Sequence, residues 1–270
     1  MPMLVEALSV FPGVFDAYLS ASIMGRAQAA GIFEFRAHDL RDWTHDRHRT
    51  VDDAPFGGGA GMLMKPAPIF EAVRAIKELD PRPARVVFFT PVGTPFTQRV
   101  AERLSGEERL LFVCGRYEGM DERVYELADE CLSLGDYVLT GGELAAMVVT
   151  DAVVRLLPGA LGDEMSPKDE SFSTGLLEYA QYTRPADYDG RPVPEVLLSG
   201  DHGAVDAWRR RNAIERTARW RPDLLASAPL TVEERAWAEG LVARDAAEAP
   251  GPSGEPAART DATERGEAHD

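Results

Sequence analysis

RVVFFTPVGTPFTQRVAERLSGEERLLFVC, residues 85–114, holds two continuous β-rich apolar runs, RVVFFT at 85–90 and LLFVC at 110–114, separated by the short helical stretch TQRVAERLSGEE. Strands that are apolar on both faces are those buried from both sides, as in parallel sheets. A strand, a helix and a second strand of this kind predict a parallel α/β arrangement. Working outward, MLVEALSVFP (3–12) reads as a first buried strand ended by Pro12 and Gly13, and IFEFRAHDL (32–40) as a second. Between them, the spacing of Val14, Phe15, Tyr18, Leu19 and Ile23 predicts a helix closed by Gly31. APIFEAVRAIKEL (67–79) is an amphipathic helix that stops before Pro81.

Each apolar run leads into a loop of special residues: PVGTPF after the first and GRYEGMDER after the second. LSLGDYVLTGGE (132–143) supplies a third, with the strand-like Tyr137, Val138 and Leu139 clamped between Gly135 and the pair Gly141 and Gly142. Glycine costs folding entropy and is retained where the backbone turns tightly or approaches another group closely. Open parallel sheets bind ligands where such loops converge at the carboxyl ends of the strands. The helix that follows (142–159) is expected to face the core with Leu144, Met147, Val148, Leu156 and Leu157, its N-terminus toward this pocket.

The chain has 270 residues, 44% of them hydrophobic, which suffices for a large domain plus a smaller one. No run approaches the ~18 apolar residues of a membrane span, and the N-terminus lacks a basic segment with a cleavage site, so a cytoplasmic protein is expected. Cys114 and Cys131 read as unpaired, Cys114 as a small core residue. The net charge of −16 argues against a polyanionic partner. Residues 241–270 carry seven acids against three arginines and no aromatic, the composition of a disordered tail. Without them 26 basic residues face 38 acidic ones, so a polyanion must be met by a local patch. The best candidate is 208–221, with arginines at 209, 210, 211, 216, 219 and 221 among two tryptophans and one acid, Glu215. A solvated helix face with a Glu215–Arg219 pair is the alternative.

Several motifs fail. Gly57, Gly58, Gly59 and Gly61 match neither a P-loop, since Lys65 comes too late, nor a dinucleotide fingerprint. His45, Asp46 and His48 lack a third ligand in register, so no metal site is assigned.

Taken together, THDRHRTVDDAPFGGGAGMLMKP, CGRYEGMDERV, SLGDYVLTGGELAA, PGALGDEMSPKDESF, QYTRP and VPEVLLSGDH closely resemble the bacterial tRNA (guanine-N1)-methyltransferases of the SPOUT superfamily, in unbroken order over residues 1 to about 240. The resemblance implies an α/β domain, 1–162, whose parallel sheet carries a deep trefoil knot. It further implies a linker, 163–174, that holds a catalytic carboxylate, and a small, mainly helical tRNA-binding domain, 175–240, ahead of the acidic tail. A homodimer is expected. The implied activity is transfer of a methyl group from S-adenosyl-L-methionine to guanine N1 at position 37 of tRNA. A SPOUT ribose 2′-O-methyltransferase and a non-catalytic RNA-binding module are the alternatives.

Carried over by position, the cofactor loops comprise Thr90 and Pro91; Gly115, Tyr117 and Glu118; and Leu134, Gly135, Asp136, Tyr137, Val138, Leu139, Gly141 and Gly142. In the family the glycines let the backbone reach the adenine and ribose. Ala60 and Ala145 stand where the family usually has proline. The family places a cation in the knot helix, matched by Arg155, for which Asp151 offers an ordinary i, i+4 ion pair. It places the base in the linker: ungapped counting from Arg155, and back from Ser171 and Phe172, gives Glu170, with Asp169 beside it. Nothing in the sequence assigns or excludes magnesium.

Overall fold

The two runs at 85–114 become adjacent parallel strands, β5 (Arg85–Pro95) and β6 (Arg109–Val113), joined by a crossover helix, α4 (Gln98–Leu104). The structure is a computed structural model that describes residues 1–162 and 170–248. Contacts divide the described residues into two units, the first ending at Ser173 and the second beginning at Thr174.

In the first unit, β1 (Met3–Ser9) is buried along its whole length between β6 and β2 (Phe33–Asp39). β3 (Asp52–Asp53) and β4 (Leu63–Met64) form a short antiparallel pair. β7 (Glu130–Ser133) lies outside β5, so the main sheet among the described residues runs β2-β1-β6-β5-β7, all parallel. Because side chains alternate along a strand, Leu110 and Phe112 enter one core layer while Leu111 and Val113 enter the other. The first layer is covered by α1 (Asp16–Leu19), α2 (Ser22–Ala29), α4 and α5 (Glu143–Val154). The second layer is covered by α3 (Pro66–Glu78), through Ile69, Ala72, Val73 and Ile76.

Two charged residues are fully buried within strands. Arg109 and Glu6 are fully buried and paired, Nε to Oε2 at 2.6 Å, and His38 Nε2 lies 2.9 Å from the other Glu6 oxygen. Arg109 also donates to the carbonyls of Ile76, Lys77, Asp80 and Arg82, and so caps the C-terminus of α3 from within the sheet. Burial alone raises the Glu6 carboxyl, yet the hydrogen bonds from His38 and Arg109 outweigh it and hold Glu6 below its ordinary range.

Four expectations are corrected. The helix expected from Val14 to Ile23 is broken into a 3-10 turn, α1 and α2, and only Phe15 and Leu19 of its apolar set are fully buried; Val14 and Tyr18 are exposed. β5 continues through the expected loop 91–95 and pairs with β7 again at Thr94 and Pro95 after an irregularity. Tyr137, Val138 and Leu139 are not a strand: β7 ends at Ser133, and these three lie exposed in the loop that follows. α5 buries Ala145, Ala146, Val149, Thr150, Val153 and Val154, leaving Leu144 55% and Val148 49% exposed. Met147, Leu156 and Leu157 of the expected set do pack, partly buried, against the core; a helix apolar all round has no unique buried face for periodicity to select.

The second unit contains a hairpin of β8 (Asp187–Tyr188) and β9 (Arg191–Pro192), then α6 (His202–Trp220) and α7 (Val232–Glu248). Its core is Leu176, Ile214, Ala218, Leu225, Ala228 and Ala238. Asp201 caps α6, accepting from the Ala204 amide at 3.1 Å, and Thr231 and Glu234 form a reciprocal capping box at the start of α7. α7 runs past residue 240, where composition had placed the start of the tail, because Leu241 and Val242 pack on this core.

Candidate active site

The C-terminal ends of β5, β6 and β7 open onto one cleft of about 400 Å³. It is lined by Thr90 and Pro91 from the irregular stretch of β5, Gly115, Tyr117 and Glu118 from the second loop, after β6, and Leu134, Gly135, Tyr137, Val138, Leu139, Gly141 and Gly142 from the third, after β7. Asp136 alone among the carried-over cofactor positions does not line it. Residues that sequence reasoning passed over also border it, among them Arg116, Met120, Glu122 and Tyr125, as does Ala145, one of the two alanines at the family's proline positions. Arg116 stood inside the quoted CGRYEG motif, and only its neighbours were taken from it.

The glycines divide by duty. A Cβ on Gly142 would lie 2.8 Å from Cys114 Cα and 3.1 Å from Gly115 N, so this glycine admits another stretch of the same backbone. Its amide donates to the Gly115 carbonyl at 2.9 Å, and Arg116 and Gly141 form an antiparallel bridge beside it. On Gly141 a Cβ would lie 2.3 Å from Arg116 Nε and 2.5 Å from Glu143 Oε2, in the space of an ion pair. Both therefore accommodate protein groups, a use that the adenine-and-ribose reading of these positions did not include. Gly135, at φ +145°, and Gly119, at φ +137°, are those whose turns require glycine.

The second loop is held from its other side. Glu118 and Met64 amides exchange hydrogen bonds with the carbonyls of Met62 and Gly119, and the Glu118 side chain lies across Gly61, which has no room for a Cβ. Tyr117 adopts φ +61°, and burial, with the Asp52 carboxylate beside it, pushes its phenol up, keeping the hydroxyl a proton donor.

Arg155 caps the C-terminus of α5, and its Nη2 donates to Glu170 Oε1 at 2.6 Å. The hydrogen bond it donates to Glu170 raises the arginine's already high value. Asp151 is engaged instead by the Tyr18 hydroxyl, which burial and that carboxylate push up to about 12. The expected i, i+4 pair with Asp151 thus gives way to a pair with the linker carboxylate. Asp169 lies outside the described residues. Neither Arg155 nor Glu170 lines the cleft.

In the second unit all six arginines of 208–221 have protein partners. Arg210 pairs with Glu234 at 2.8 Å, Arg216 donates to the Glu178 carbonyl, Arg221 pairs with Asp223, and Arg209, Arg211 and Arg219 stack on Tyr179, Trp237 and Trp220. Much of the patch is therefore structural. Arg211 pairs with Glu215, the acid that spacing had assigned to Arg219. Among the described residues, no three His, Cys, Asp or Glu side chains are grouped to hold a metal ion, both cysteines are free, and no helix is long and apolar enough to cross a membrane.

Residues 3–227 match the family described as tRNA (Guanine-1)-methyltransferase TrmD. The chain is 52% identical over 233 residues to a tRNA (guanine-N(1)-)-methyltransferase of Syntrophotalea carbinolica, covering 86% of this chain and 94% of that protein. It is 54% identical to proteins of the same description from Heliobacterium modesticaldum, over 86% of this chain and 88% of the relative, and from Limosilactobacillus fermentum, over 86% and 94%. With the motifs in unbroken order and three glycine-bearing loops meeting in one cleft, the chain belongs to the tRNA (guanine-N1)-methyltransferase family.

Proposed function

We propose that this protein methylates guanine N1 at position 37 of tRNA, giving N1-methylguanosine, with S-adenosyl-L-methionine as methyl donor. The observation that carries the reading is the single cleft at the ends of β5, β6 and β7, in a chain of this family. Its volume lies within the ~300–1,000 Å³ of small-molecule sites, and its wall combines backbone from the glycine loops with apolar Val138 and Leu139. Thr90, Pro91, Gly115, Tyr117, Glu118, Leu134, Gly135, Tyr137 and Gly141 are the residues that hold the donor. Bound there, it supplies an electrophilic methyl group on a sulphonium.

Guanine N1 carries a proton and is a poor nucleophile until that proton is removed. Glu170 accepts it, and Arg155 stabilises the negative charge that moves onto O6. A carboxylate and a guanidinium held side by side at 2.6 Å present an acceptor and a donor together, the complement of guanine's adjacent N1–H and O6. Asp169 is the alternative base.

α5 starts at Glu143, next to Gly142 of the cleft, and reaches Arg155 12 residues on, which at ~1.5 Å per residue is about 18 Å. One chain therefore holds its donor cleft and its acceptor pair too far apart for direct transfer. A homodimer with α5 antiparallel to its copy resolves this, bringing one chain's Arg155 to the other's cleft. The exposed apolar ridge of Leu144 and Val148, beside exposed Tyr18, Val14 and Phe11, is the surface that such a partner covers. The close crossings at Gly142 over Cys114, and at Gly93 against the Leu132 backbone, support threading of 130–142 as a trefoil knot. tRNA contacts fall to the exposed arginines of α6, Arg209 and Arg211 among them, and a tRNA substrate implies a cytoplasmic protein.

The test is incubation with an unmodified tRNA transcript bearing guanosine at position 37 and with one in which that base is changed. N1-methylguanosine in the nucleoside digest of the first alone is expected. Methylation of both, or a 2′-O-methylated nucleoside, refutes the assignment. Glu170→Gln should slow single-turnover transfer by about 10² or more without changing donor affinity, and an unchanged rate moves the base to Asp169.

A further inference from the structure

Glu143 is a buried carboxylate behind the cleft that the chemistry above leaves unused. It occupies the first turn of α5, 2% exposed, and does not line the cleft. Three elements reach it. Ser9, the last residue of β1, donates its hydroxyl to Oε1 at 2.6 Å. Arg116 of the second loop donates Nε to the same oxygen at 3.1 Å, with Oε2 2.9 Å from that nitrogen. Gly141 of the third loop leaves the space in which the two side chains meet. The Arg116 guanidinium is also placed over the Phe11 ring, 4.7 Å from its centroid, and reaches the Thr140 carbonyl at 3.4 Å.

We propose that Glu143 is a positioning residue of the donor cleft: its buried charge pins Arg116, and through Arg116 it locks the second loop to the third and to the end of β1. The proposal rests on reading the cleft as the donor site. Arg116, Gly141 and Gly142 all border the cleft, so the pin sets the distance between its two walls. Arg116 is a quarter exposed, and once unpaired it has a path to water, which Glu143 does not. Loss of the carboxylate charge therefore frees the loop while the hydroxyl of Ser9 keeps an acceptor. Preorganisation of this kind acts on ligand affinity by removing the cost of ordering the loops.

The experiment is calorimetric titration of the purified full chain with S-adenosylhomocysteine, alongside thermal melts, for the parent, Glu143→Gln, Arg116→Lys and the double variant Glu143→Leu with Arg116→Met. Glu143→Gln is expected to bind about tenfold more weakly. Arg116→Lys, at a partly exposed site where folding is not at stake, should weaken binding in the same direction, because lysine offers neither the Nε donor nor the planar stack. The apolar double variant removes both charges and should melt near the parent while still binding weakly. A purely structural pair would restore affinity together with stability, and that result overturns the proposal, as does parent-like affinity in Glu143→Gln or Arg116→Lys. A parent that binds no S-adenosylhomocysteine instead overturns the reading of the cleft itself.

Discussion

Replacing Gly142 with alanine tests the crossing on which the cleft is built. The added methyl would lie 2.8 Å from Cys114 Cα, 3.1 Å from Gly115 N and 3.3 Å from Cys114 C, all of them backbone. Ordinary contact begins several tenths of an ångström farther out, so one of the two chains must move. Cys114 cannot yield easily: it is 1% exposed, and its amide donates to the Leu8 carbonyl at 3.0 Å, which ties it to β1. The movement therefore falls on the start of α5 and stretches the 2.9 Å bond from Gly142 N to Gly115 O. Overpacking of this type costs about 1–3 kcal/mol, which at about 2–4 °C per kcal/mol lowers Tm by roughly 2–12 °C. Because Gly115 and Gly142 line the cleft, affinity for S-adenosylhomocysteine should fall as well. Gly13→Ala is the control, since no atom lies within 4 Å of its added methyl. Scanning calorimetry with and without ligand reads both effects. A Gly142→Ala protein that melts and binds like Gly13→Ala would refute the crossing.

Three further outcomes follow from other parts of the molecule. Arg109→Met leaves the Glu6 carboxylate buried opposite only His38 and removes the donor shared by four carbonyls, and should cost about 3–5 kcal/mol in urea unfolding; a loss under about 1 kcal/mol would show that the network is dispensable. Glu234 is held down to about 2 by the Arg210 guanidinium. Its folded value thus lies below its unfolded one, so the pair's stabilisation is complete above about pH 4.5 and fades as pH falls toward 2. Glu234→Gln, which keeps the capping geometry, should be less stable than the parent by about 1 kcal/mol at pH 7 after allowance for solvent screening, with the gap narrowing below pH 4.5; a pH-independent gap would remove the charge from the explanation. Leu144→Glu places a charge on the exposed ridge of α5 and should weaken self-association by about 100-fold or more in sedimentation, with loss of methyl transfer; a monomeric parent would refute the antiparallel pairing.

The parallel sheet was legible because β5 and β6 are apolar on both faces, a signal that survives without any knowledge of their neighbours. The strand order was not legible. Nothing in the composition of β7 says that it lies outside β5, because the pairing of 87–89 with 130–132, and the close approach of Gly93 to the Leu132 backbone, join positions that spacing cannot relate. The orientation of α5 was lost for another reason: Leu144 and Val148 are no less apolar than Ala145, Ala146 and Val149, so nothing in the sequence marks the face that packs on the sheet, and the structure leaves those two exposed. At the site, the loop positions carried over from the family met in one cleft, with Asp136 outside it. Arg116 and Glu143 escaped notice because a buried ion pair across 27 residues of sequence has no local pattern.

The division among the glycines also determines where a ligand can act. A glycine that admits another strand of its own chain keeps that contact with or without ligand, so Gly141 and Gly142 belong to a wall already formed. The segment between them and Gly135 is different: Val138 is 91% exposed, Tyr137 and Leu139 are exposed too, and Gly135 holds a φ that only glycine adopts freely. Its internal hydrogen bonds are few, among them Tyr137 N to the Gly135 carbonyl and Gly135 N to the Ser133 hydroxyl. Stability is lowest where buried contacts and protected amides are sparse, and a ligand that binds only the folded loop stabilises it by RT ln(1 + [L]/Kd). Hydrogen exchange should therefore slow on addition of S-adenosylhomocysteine chiefly at 134–140, while 114–116 and 141–143 are protected in both states. Uniform slowing over all three loops would mean that the rear wall is assembled by the ligand, and that the crossing at Gly142 does not hold the cleft open by itself.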